Sequence, residues 1–312
     1  MLNRFNQFME KWIFLVTPIC VVIGVTFADI TIHWNVLVPY VFAFMTFVGA
    51  LKSSFHDVVG VFRHPLALLC SIACIHVVMP LIVFGLGVVL FPNNMNLVTG
   101  MVLEFCVPSA VTALMWGSIY HGNSSLSLSL VIVDTILAPF FIPATLHIFV
   151  GGHVTIDASH MMEELIFMIA LPAIVAMCFH QFGGEKVKTA WPGKLAPFSK
   201  MCIMFLQISN SAKAAPYIRH LNKELMMVVL VMFLLAAFGY GLGWIAAMLI
   251  KRDVATTVSM TFGVGMRNIS AGAVVATAYF PAEVVFPVII ATLFQQVLAA
   301  IYGTFIRKFL KS

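Results

Sequence analysis

Long apolar runs, repeated along the whole chain, constrain the fold more than any other feature. A run of about 20 apolar residues is long enough to cross a bilayer as a helix. Ten such runs lie near 12–28, 35–51, 66–91, 97–118, 124–150, 161–181, 197–217, 225–249, 255–278 and 283–306. In lipid these runs must be helical to satisfy their own backbone, and they lack the alternation of a β-barrel. The sequence therefore predicts an all-α membrane protein with ten transmembrane helices.

The composition excludes the water-soluble classes of protein. Of the 312 residues, 62% are hydrophobic and 9% are charged, whereas a soluble domain has about 45–50% apolar and about 25% charged residues. The HExxH, GxSxG and P-loop motifs do not occur, and the six cysteines have no metal-binding spacing. We therefore expect no enzyme, no cofactor or metal and no nucleic-acid partner. The lipid bilayer is the expected surroundings.

Lysine and arginine residues predict the orientation. With the N-terminus inside, thirteen of them fall in cytoplasmic segments and only Lys213, Arg219 and Lys223 fall outside. Cytoplasmic loops carry such an excess. We expect an integral protein of the plasma membrane, the inner membrane of a bacterial cell, with both termini in the cytoplasm.

The ten predicted spans divide into two sets of five, in residues 1–155 and 156–312. Because five is an odd number, the second set must be inverted relative to the first. Pro108-Ser109 interrupts the fourth span and Gly263-Val264-Gly265 interrupts the ninth. Interruptions at matching positions of two repeats indicate a binding site near the bilayer midplane. The alternative is a proline kink together with glycines that allow close packing.

Three charged residues lie deep within apolar spans: Glu104, Asp134 and Arg267. Each costs at least about 2.5–3.5 kcal/mol at a helix centre. Arg267 keeps its proton and must therefore meet an anion, which is Asp134, Glu104 or a bound substrate. One alternative is an ion pair that only locks two helices together. Another is that the carboxylate left without a partner carries a proton as the coupling ion.

Polar side chains near the two interruptions are candidates for contact with a substrate. They are Ser109, Thr112, Asn268, Ser270, Gln295 and Gln296. His76, four residues before Pro80, is expected to hydrogen-bond a neighbouring helix. Helix N-termini exposed at the interruptions favour an anionic group.

The order of several short motifs resembles that of the bile acid:sodium symporter family. In the first half they are Phe44–Leu51, Phe55-His56-Asp57, His64-Pro65, Val78-Met79-Pro80, Pro108, Gly122–Ser127 and Leu137-Ala138-Pro139. In the second half they are Gly265-Met266-Arg267-Asn268, Tyr279-Phe280-Pro281 and Pro287. The chain is identified as a divergent, bacterial-type member with degenerate sodium sites.

The resemblance implies a ten-helix inverted-repeat fold in which the broken fourth and ninth spans cross. Spans three to five and eight to ten would form a core domain, and spans one, two, six and seven a panel domain. It also implies organic-anion substrates such as bile acids, sulfated steroids and smaller carboxylates, carried inward with sodium.

The chain departs from the family at the positions that hold sodium. Ala113-Leu114 replaces a Ser-Asn pair, Gly263 replaces a glutamate, and Ile75 and Arg267 replace glutamines. Ser127 and Asn268 keep the family's residues. Apolar side chains supply no ligands to sodium, and a guanidinium repels it. We infer that Arg267 stands in for a sodium charge.

The function predicted from the sequence is a secondary transporter of an organic anion that works by alternating access without the usual sodium coupling. Arg267, Asn268, Ser109, Thr112, Gln295 and Gln296 form the expected substrate site. The expected ion-coupling set is Glu104, Asp134, Arg267, Ser127 and His76, with a proton as the coupling ion. The alternatives are a sodium-coupled symporter with altered ion ligands, a ligand-binding receptor that does not transport, and an anion channel.

Overall fold

The computed structural model describes residues 2–54, 65–152 and 157–309. Regular structure in these residues is helical throughout, except for one antiparallel bridge between Ser109 and Arg267. The motif residues Phe55-His56-Asp57 and His64, and the charge of Arg63, lie outside the described residues. The all-α prediction is confirmed for the described part of the chain.

The helices follow the apolar runs closely. The first half contains α1 (Leu2–Thr26), α2 (Val38–Ala50), α3 (Pro65–Leu90), α4 (Met95–Cys106), α5 (Thr112–Ile119) and α6 (Ser124–Val150). The second half contains α7 (Ala158–Phe182), α8 (Gly184–Arg219), α9 (Lys223–Leu249), α10 (Val254–Gly265), α11 (Ile269–Tyr279), α12 (Ala282–Ala291) and α13 (Gln295–Phe309). One helical turn, Ala28–Thr31, and a 3₁₀ helix, Ile32–Leu37, join α1 to α2.

Six helical segments of the described residues are long and apolar enough to cross a bilayer. They are Ala28–Ala50, α3, α6, α7, α9 and Ala282–Lys308. The interrupted pairs α4–α5 and α10–α11 consist of shorter helices. This is the fold of an integral membrane protein.

Asparagine or aspartate residues begin six of these thirteen helices. Each accepts a hydrogen bond from the backbone N–H three residues further on, as favourable N-caps do. The caps are Asn94 of α4, Asn123 of α6, Asp157 of α7, Asn222 of α9, Asp253 of α10 and Asn268 of α11.

Prolines explain the irregular turns inside two of the long helices. A π-helical turn, Cys74–Val78, precedes Pro80 in α3, and another, Ile166–Ala170, precedes Pro172 in α7. Proline has no N–H to donate and its ring clashes with the carbonyl four residues before it, so the helix widens there. The widened turn of α3 contains His76.

The charged segment before the predicted seventh span is helical and not a loop. Helix α8 begins at Gly184, thirteen residues before the predicted start at 197. Its lysines Lys186, Lys188 and Lys194 are exposed while Val187 between them is buried. This one-sided burial explains the helix, because lysine can cover an apolar surface with its stem and keep its charge in water.

We divide the helices into a first group, α1, α2, α7 and α8, and a second group, and contacts of α7 with α6 and of α8 with α12 join the two groups. Helix α1 packs along α8, and α2 packs against both α7 and α8. The second group contains α3–α6 and α9–α13, with α4 packed on α3 and α12, and α9 on α10. Residues 97–106 of α4 and 256–265 of α10 are buried throughout. The interrupted helices therefore lie at the centre of the second group.

Small residues allow this close packing. A Cβ atom added to Gly100 in α4 would lie 2.3 Å from the carbonyl oxygen of Val284 in α12, and 3.0 Å from a ring carbon of Pro287. Both obstacles belong to a rigid part of the neighbouring helix. Glycine at this position lets the two backbones approach.

We expect Gly100→Ala to destabilise the fold by about 1–3 kcal/mol, because the added methyl group overpacks the contact between α4 and α12. The apparent unfolding temperature of the detergent-solubilised protein measures this. Gly85→Ala in α3 is the control, since a Cβ there meets no described atom within 4 Å. An equal change in both variants would contradict the explanation.

Candidate functional site

The two interrupted helices meet at a crossover formed by residues 107–111 and 266–268. The amide of Ala110 donates to the carbonyl of Met266 at 3.0 Å, and the amide of Asn268 donates to the carbonyl of Pro108 at 2.8 Å. The two segments thus pair as a minimal antiparallel ladder, and the N-termini of α5 and α11 both begin at it. Exposed helix N-termini carry free N–H donors and a partial positive charge.

The second interruption lies further along the chain than predicted. Helix α10 includes Gly263-Val264-Gly265, and the extended residues are Met266-Arg267-Asn268. The two glycines serve close packing instead. A Cβ at Gly265 would lie 2.3 Å from the ring of Tyr240, and one at Gly263 would lie 2.4 Å from Leu130. The first interruption, at Pro108-Ser109, lies where it was predicted.

Asp134 connects three elements beneath the crossover. One carboxylate oxygen accepts a hydrogen bond from the backbone N–H of Ser109 at 2.7 Å. The other lies 2.5 Å from Nε2 of His76. His76 also stacks on Phe141, with ring centroids 4.2 Å apart. Asp134 therefore ties α6 to the widened turn of α3 and to the interruption after α4.

Arg267 lies at the crossover, and its side chain is 2% exposed. Its backbone N–H donates to Oε1 of Gln295 at 2.8 Å. Its three guanidinium nitrogens are buried and have no hydrogen-bond partner among the described residues. The carboxylates whose charges act on it are Asp134 and Glu104. Arg267 is thus a buried cation that interacts with both acids at a distance and is hydrogen-bonded to neither.

Glu104 lies in the last turn of α4 and is also 2% exposed. Its Oε2 atom is buried without a hydrogen-bond partner in the described part of the chain. A Cβ built on Gly272 of α11 would lie 3.3 Å from this oxygen. The absence of a side chain at Gly272 therefore makes room for the carboxyl group.

A cavity of about 420 Å³ lies between the two groups of helices and reaches the crossover. The predicted site residues that line it are Thr112, Arg267, Asn268, Ser270, Gln295 and Gln296. From the first helix group, Thr46 of α2, Ile169 of α7 and Gln207 of α8 contribute to its wall. Its volume is in the range of small-molecule pockets. We call it the crossover cavity.

Other predicted residues lie behind the wall of this cavity. Ser109 is fully buried, and its backbone faces Asp134. Glu104, Asp134, His76 and Ser127 are not among the lining residues. The structure therefore divides the predicted set into a layer that faces the cavity and a buried layer beneath it.

The two glutamines that follow the interruption between α12 and α13 are both engaged. Gln295 accepts from the backbone of Arg267, and Gln296 accepts from Nε1 of Trp116 at 2.8 Å. Residues 292–294, which separate these helices, were not predicted as an interruption. Their turn orients the two amides toward the crossover.

Sequence reasoning missed the polar wall formed by α8. Gln207 lines the cavity, and its Nε2 atom is buried with no hydrogen-bond partner among the described residues. Lys200 also lines the cavity. The polar run Gln207–Lys213 within an otherwise apolar segment was the signal that marks this helix.

Apolar side chains fill the positions at which the resemblance placed sodium ligands. Ile75 and Ala113 are buried, and Leu130 occupies the space next to Gly263. Ser127 donates to Ser259 at 2.8 Å, and Ser259 donates to the carbonyl of Asn123 at 2.9 Å. Ser127 thus forms a helix-to-helix hydrogen bond between α6 and α10.

Replacing Asp134 tests its structural role at the crossover. Asp134→Leu leaves the buried N–H of Ser109 without an acceptor, and we expect a loss of about 1–3 kcal/mol in the free energy of unfolding. Asp134→Asn is the matched variant, because its amide oxygen can accept from Ser109 and its NH₂ can donate to His76. Thermal unfolding in detergent measures both, and a leucine variant as stable as the asparagine variant would contradict this assignment.

Comparison with known proteins identifies a family and several relatives. Residues 38–221 match the Sodium Bile acid symporter family. The uncharacterized protein YbaS of Bacillus subtilis (strain 168) is 36% identical over 295 residues, which cover 95% of this chain and 96% of YbaS.

Two further relatives are more distant. The uncharacterized sodium-dependent transporter YocS of the same organism is 22% identical over 80% of this chain and 76% of its own length. The probable sodium/metabolite cotransporter BASS1, chloroplastic, of Arabidopsis thaliana is 24% identical over 82% of this chain and 62% of its own length. The chain belongs to the Sodium Bile acid symporter family, and it is a membrane transporter and not an enzyme.

Proposed function

We propose that this protein is a secondary transporter of an organic anion, either bile-acid-like or a smaller carboxylate, that works by alternating access. The observation that carries the proposal is the crossover cavity, which lies between two groups of helices and ends where Arg267 and two helix N-termini meet. A buried cation and helix N-termini together favour an anionic ligand.

The polar residues of the cavity wall are the proposed substrate contacts. Asn268, Thr112, Gln295 and Gln296 would orient the anion by hydrogen bonds, and Arg267 would attract it through its charge. Ser109 lies in the buried layer and would maintain the conformation of the crossover. Thr112 has a hydroxyl oxygen that is buried without a partner among the described residues.

The proposed architecture is ten transmembrane helices in two inverted repeats, residues 1–155 and 156–312. In this layout α3–α6 and α9–α13 form the core domain, and α1, α2, α7 and α8 form the panel domain. The packing of the helices into these two groups, with the cavity between them, supports the division. Movement of core against panel would alternate the access to the cavity.

We also propose that the protein lies in the plasma membrane with both termini in the cytoplasm. The cavity then extends toward the cytoplasm, because Ser53 at the end of α2 and Lys200 of α8 contribute to its wall. On the opposite side, Lys213 of α8 donates to the carbonyls of Thr277 at 2.5 Å and Phe280 at 2.8 Å. Tyr279 donates to Glu164 of α7 on that side as well. These contacts join panel to core and would close the outer side.

Independence from sodium is the next part of the proposal. Sodium needs several oxygen ligands, and the positions of Ile75, Ala113 and Gly263 offer none from their side chains. A guanidinium close to these positions repels a second cation. Arg267 would therefore supply, as a permanent charge, what a bound sodium supplies elsewhere in the family.

Sodium coupling with altered ion ligands is the second candidate. The names of YocS and BASS1 favour it, since they describe a sodium-dependent transporter and a sodium/metabolite cotransporter. Ser127 and Asn268 would then be retained ion ligands.

Uptake into proteoliposomes decides between the two candidates. We expect cholate, pyruvate and succinate, tested separately, to enter at a rate that does not change when an inward sodium gradient replaces a choline gradient at constant voltage and pH. Strong acceleration by sodium would establish the second candidate. Binding without any uptake would indicate a receptor.

Replacing Arg267 tests the proposed anion site. We expect Arg267→Gln to lower the affinity for a transported anion by roughly tenfold or more, because a unit charge in the core acts with several kcal/mol at an effective dielectric constant of about 20. Isothermal titration with the same three anions measures the affinity. Arg307→Gln is the control, since Arg307 is exposed near the end of α13. Unchanged affinity with a lower protein yield would assign Arg267 a purely structural part.

A further inference from the structure

The buried layer beneath the crossover contains two carboxylates, and Arg267 in the cavity wall above them is a permanent cation. We propose that Glu104 is a proton-binding site and that one proton accompanies each substrate anion through the protein. This inference rests on the proposed function, and it names the coupling ion and the residue that holds it. The sequence alone left the choice open between Glu104 and Asp134.

The hydrogen bonds distinguish the two acids. Each oxygen of Asp134 already has a partner, the N–H of Ser109 at 2.7 Å and the ring of His76 at 2.5 Å. Asp134 is therefore a positioning residue of the crossover. Glu104, in contrast, has an oxygen that is buried without a hydrogen-bond partner among the described residues. A buried carboxylate oxygen without a donor is unfavourable, and a proton on the carboxyl group reduces that penalty because it removes the charge.

The charges lead to the same assignment. Arg267 is hydrogen-bonded to neither acid, and Asp134 differs from Glu104 in that both of its oxygens have hydrogen-bond partners. With a neutral His76, one cation and one fully hydrogen-bonded carboxylate form a neutral set. A second carboxylate, on Glu104, would leave the centre of the protein with a net negative charge and would oppose the binding of an anion.

In the described part of the chain, Glu104 has no basic neighbour nearer than Arg267. Helix α12, packed against α4, has Glu283 as its titratable residue, and that side chain is bound to Asn94 and Asn96 at the far end of α4. Helix α11 presents Gly272 to Glu104, and its Tyr279 lies at the other end, bound to Glu164.

The remaining titratable neighbours of α4 either have other partners or lie further away. Helix α3 contributes His76, which is bound to Asp134, and Cys74, a buried thiol. Helix α6 contributes Asp134 itself and His147, nearly four turns further on. Cys106 of α4 is a second buried thiol. Among the described residues, Arg267 is thus the charged counterpart of Glu104.

Coupling follows from this arrangement by reciprocity. When Glu104 carries a proton, Asp134 alone offsets the charge of Arg267. The electrostatic potential at the crossover is then more positive, which favours the binding of an anion. By linkage, a bound anion strengthens the binding of the proton to the same degree. An O–H bond forms at Glu104 with a proton taken from water on one side, and it breaks on the other side, where the proton returns to water. For a monovalent anion the step moves no net charge.

Infrared difference spectroscopy tests the proton site without any substrate. We expect the purified wild-type protein at neutral pH to show a carboxylic-acid carbonyl band that Glu104→Gln lacks. Glu163→Gln is the matched control, because Glu163 is exposed on α7, and it should keep the band. An identical band in the wild type and in Glu104→Gln would overturn the assignment.

Proteoliposome uptake tests the coupling. With the voltage clamped, an inward proton gradient should drive accumulation of whichever of cholate, pyruvate and succinate the wild type exchanges. Glu104→Gln should lose about tenfold of that accumulation, in line with typical coupling energies, while the control Glu163→Gln should accumulate the anion as the wild type does. Glu104→Asp, which keeps a titratable group, should retain proton-driven accumulation and guards against a folding defect in the glutamine variant.

The outcomes separate this inference from the proposed function. Exchange by the wild type that ignores the proton gradient would overturn proton coupling and leave anion transport in place. Full proton-driven accumulation by Glu104→Gln would overturn the part assigned to Glu104. Failure of the wild type to bind or move any of the three anions would count against the proposed function, while the infrared band would still decide whether Glu104 holds a proton.

Discussion

The hydrogen bond from the backbone of Ser109 to the carboxylate of Asp134 is the interaction on which the rest of the site depends. A helix can be interrupted in the middle of a membrane only if the freed backbone groups find partners inside the protein. Asp134 supplies one partner, and the pairing of Ala110 with Met266 and of Asn268 with Pro108 supplies the others. Because these backbone groups have partners, α5 and α11 can both begin at one point and face a cavity with their N-termini.

The sequence was sufficient for most of the helices but not for the exact position of the second interruption. Apolar runs, asparagine caps and prolines act locally, so they predict helices and the first interruption at Pro108. Gly263 and Gly265 suggested an interruption because glycine weakens an isolated helix. Their actual role depends on Leu130 and Tyr240, which belong to other helices. That information is tertiary, and no local pattern contains it.

The site, like the helices, could be predicted in part from the sequence and depends in part on tertiary contacts. The intramembrane charges Glu104, Asp134 and Arg267 could be recognised from the sequence because each is costly in an apolar span. Which acid meets which partner could not be recognised. The bond between His76 and Asp134 joins residues 58 positions apart, and it needs the widened turn that Pro80 imposes on α3. The polar wall of α8 was not predicted, because the uncharged amide of Gln207 is a weaker signal in an apolar span than a charged side chain is.

A permanent cation and an exchangeable one have different consequences for transport. A sodium ion that binds with the substrate also leaves with it, so its gradient performs work in each cycle. Arg267 can neutralise an anion equally well, but it never leaves the protein and therefore adds no driving force. Under the proposed independence from sodium, the chain must either equilibrate its substrate or take its energy from another ion. Glu104, a buried acid with an oxygen that has no partner in the described structure, is the group that we propose for the second requirement.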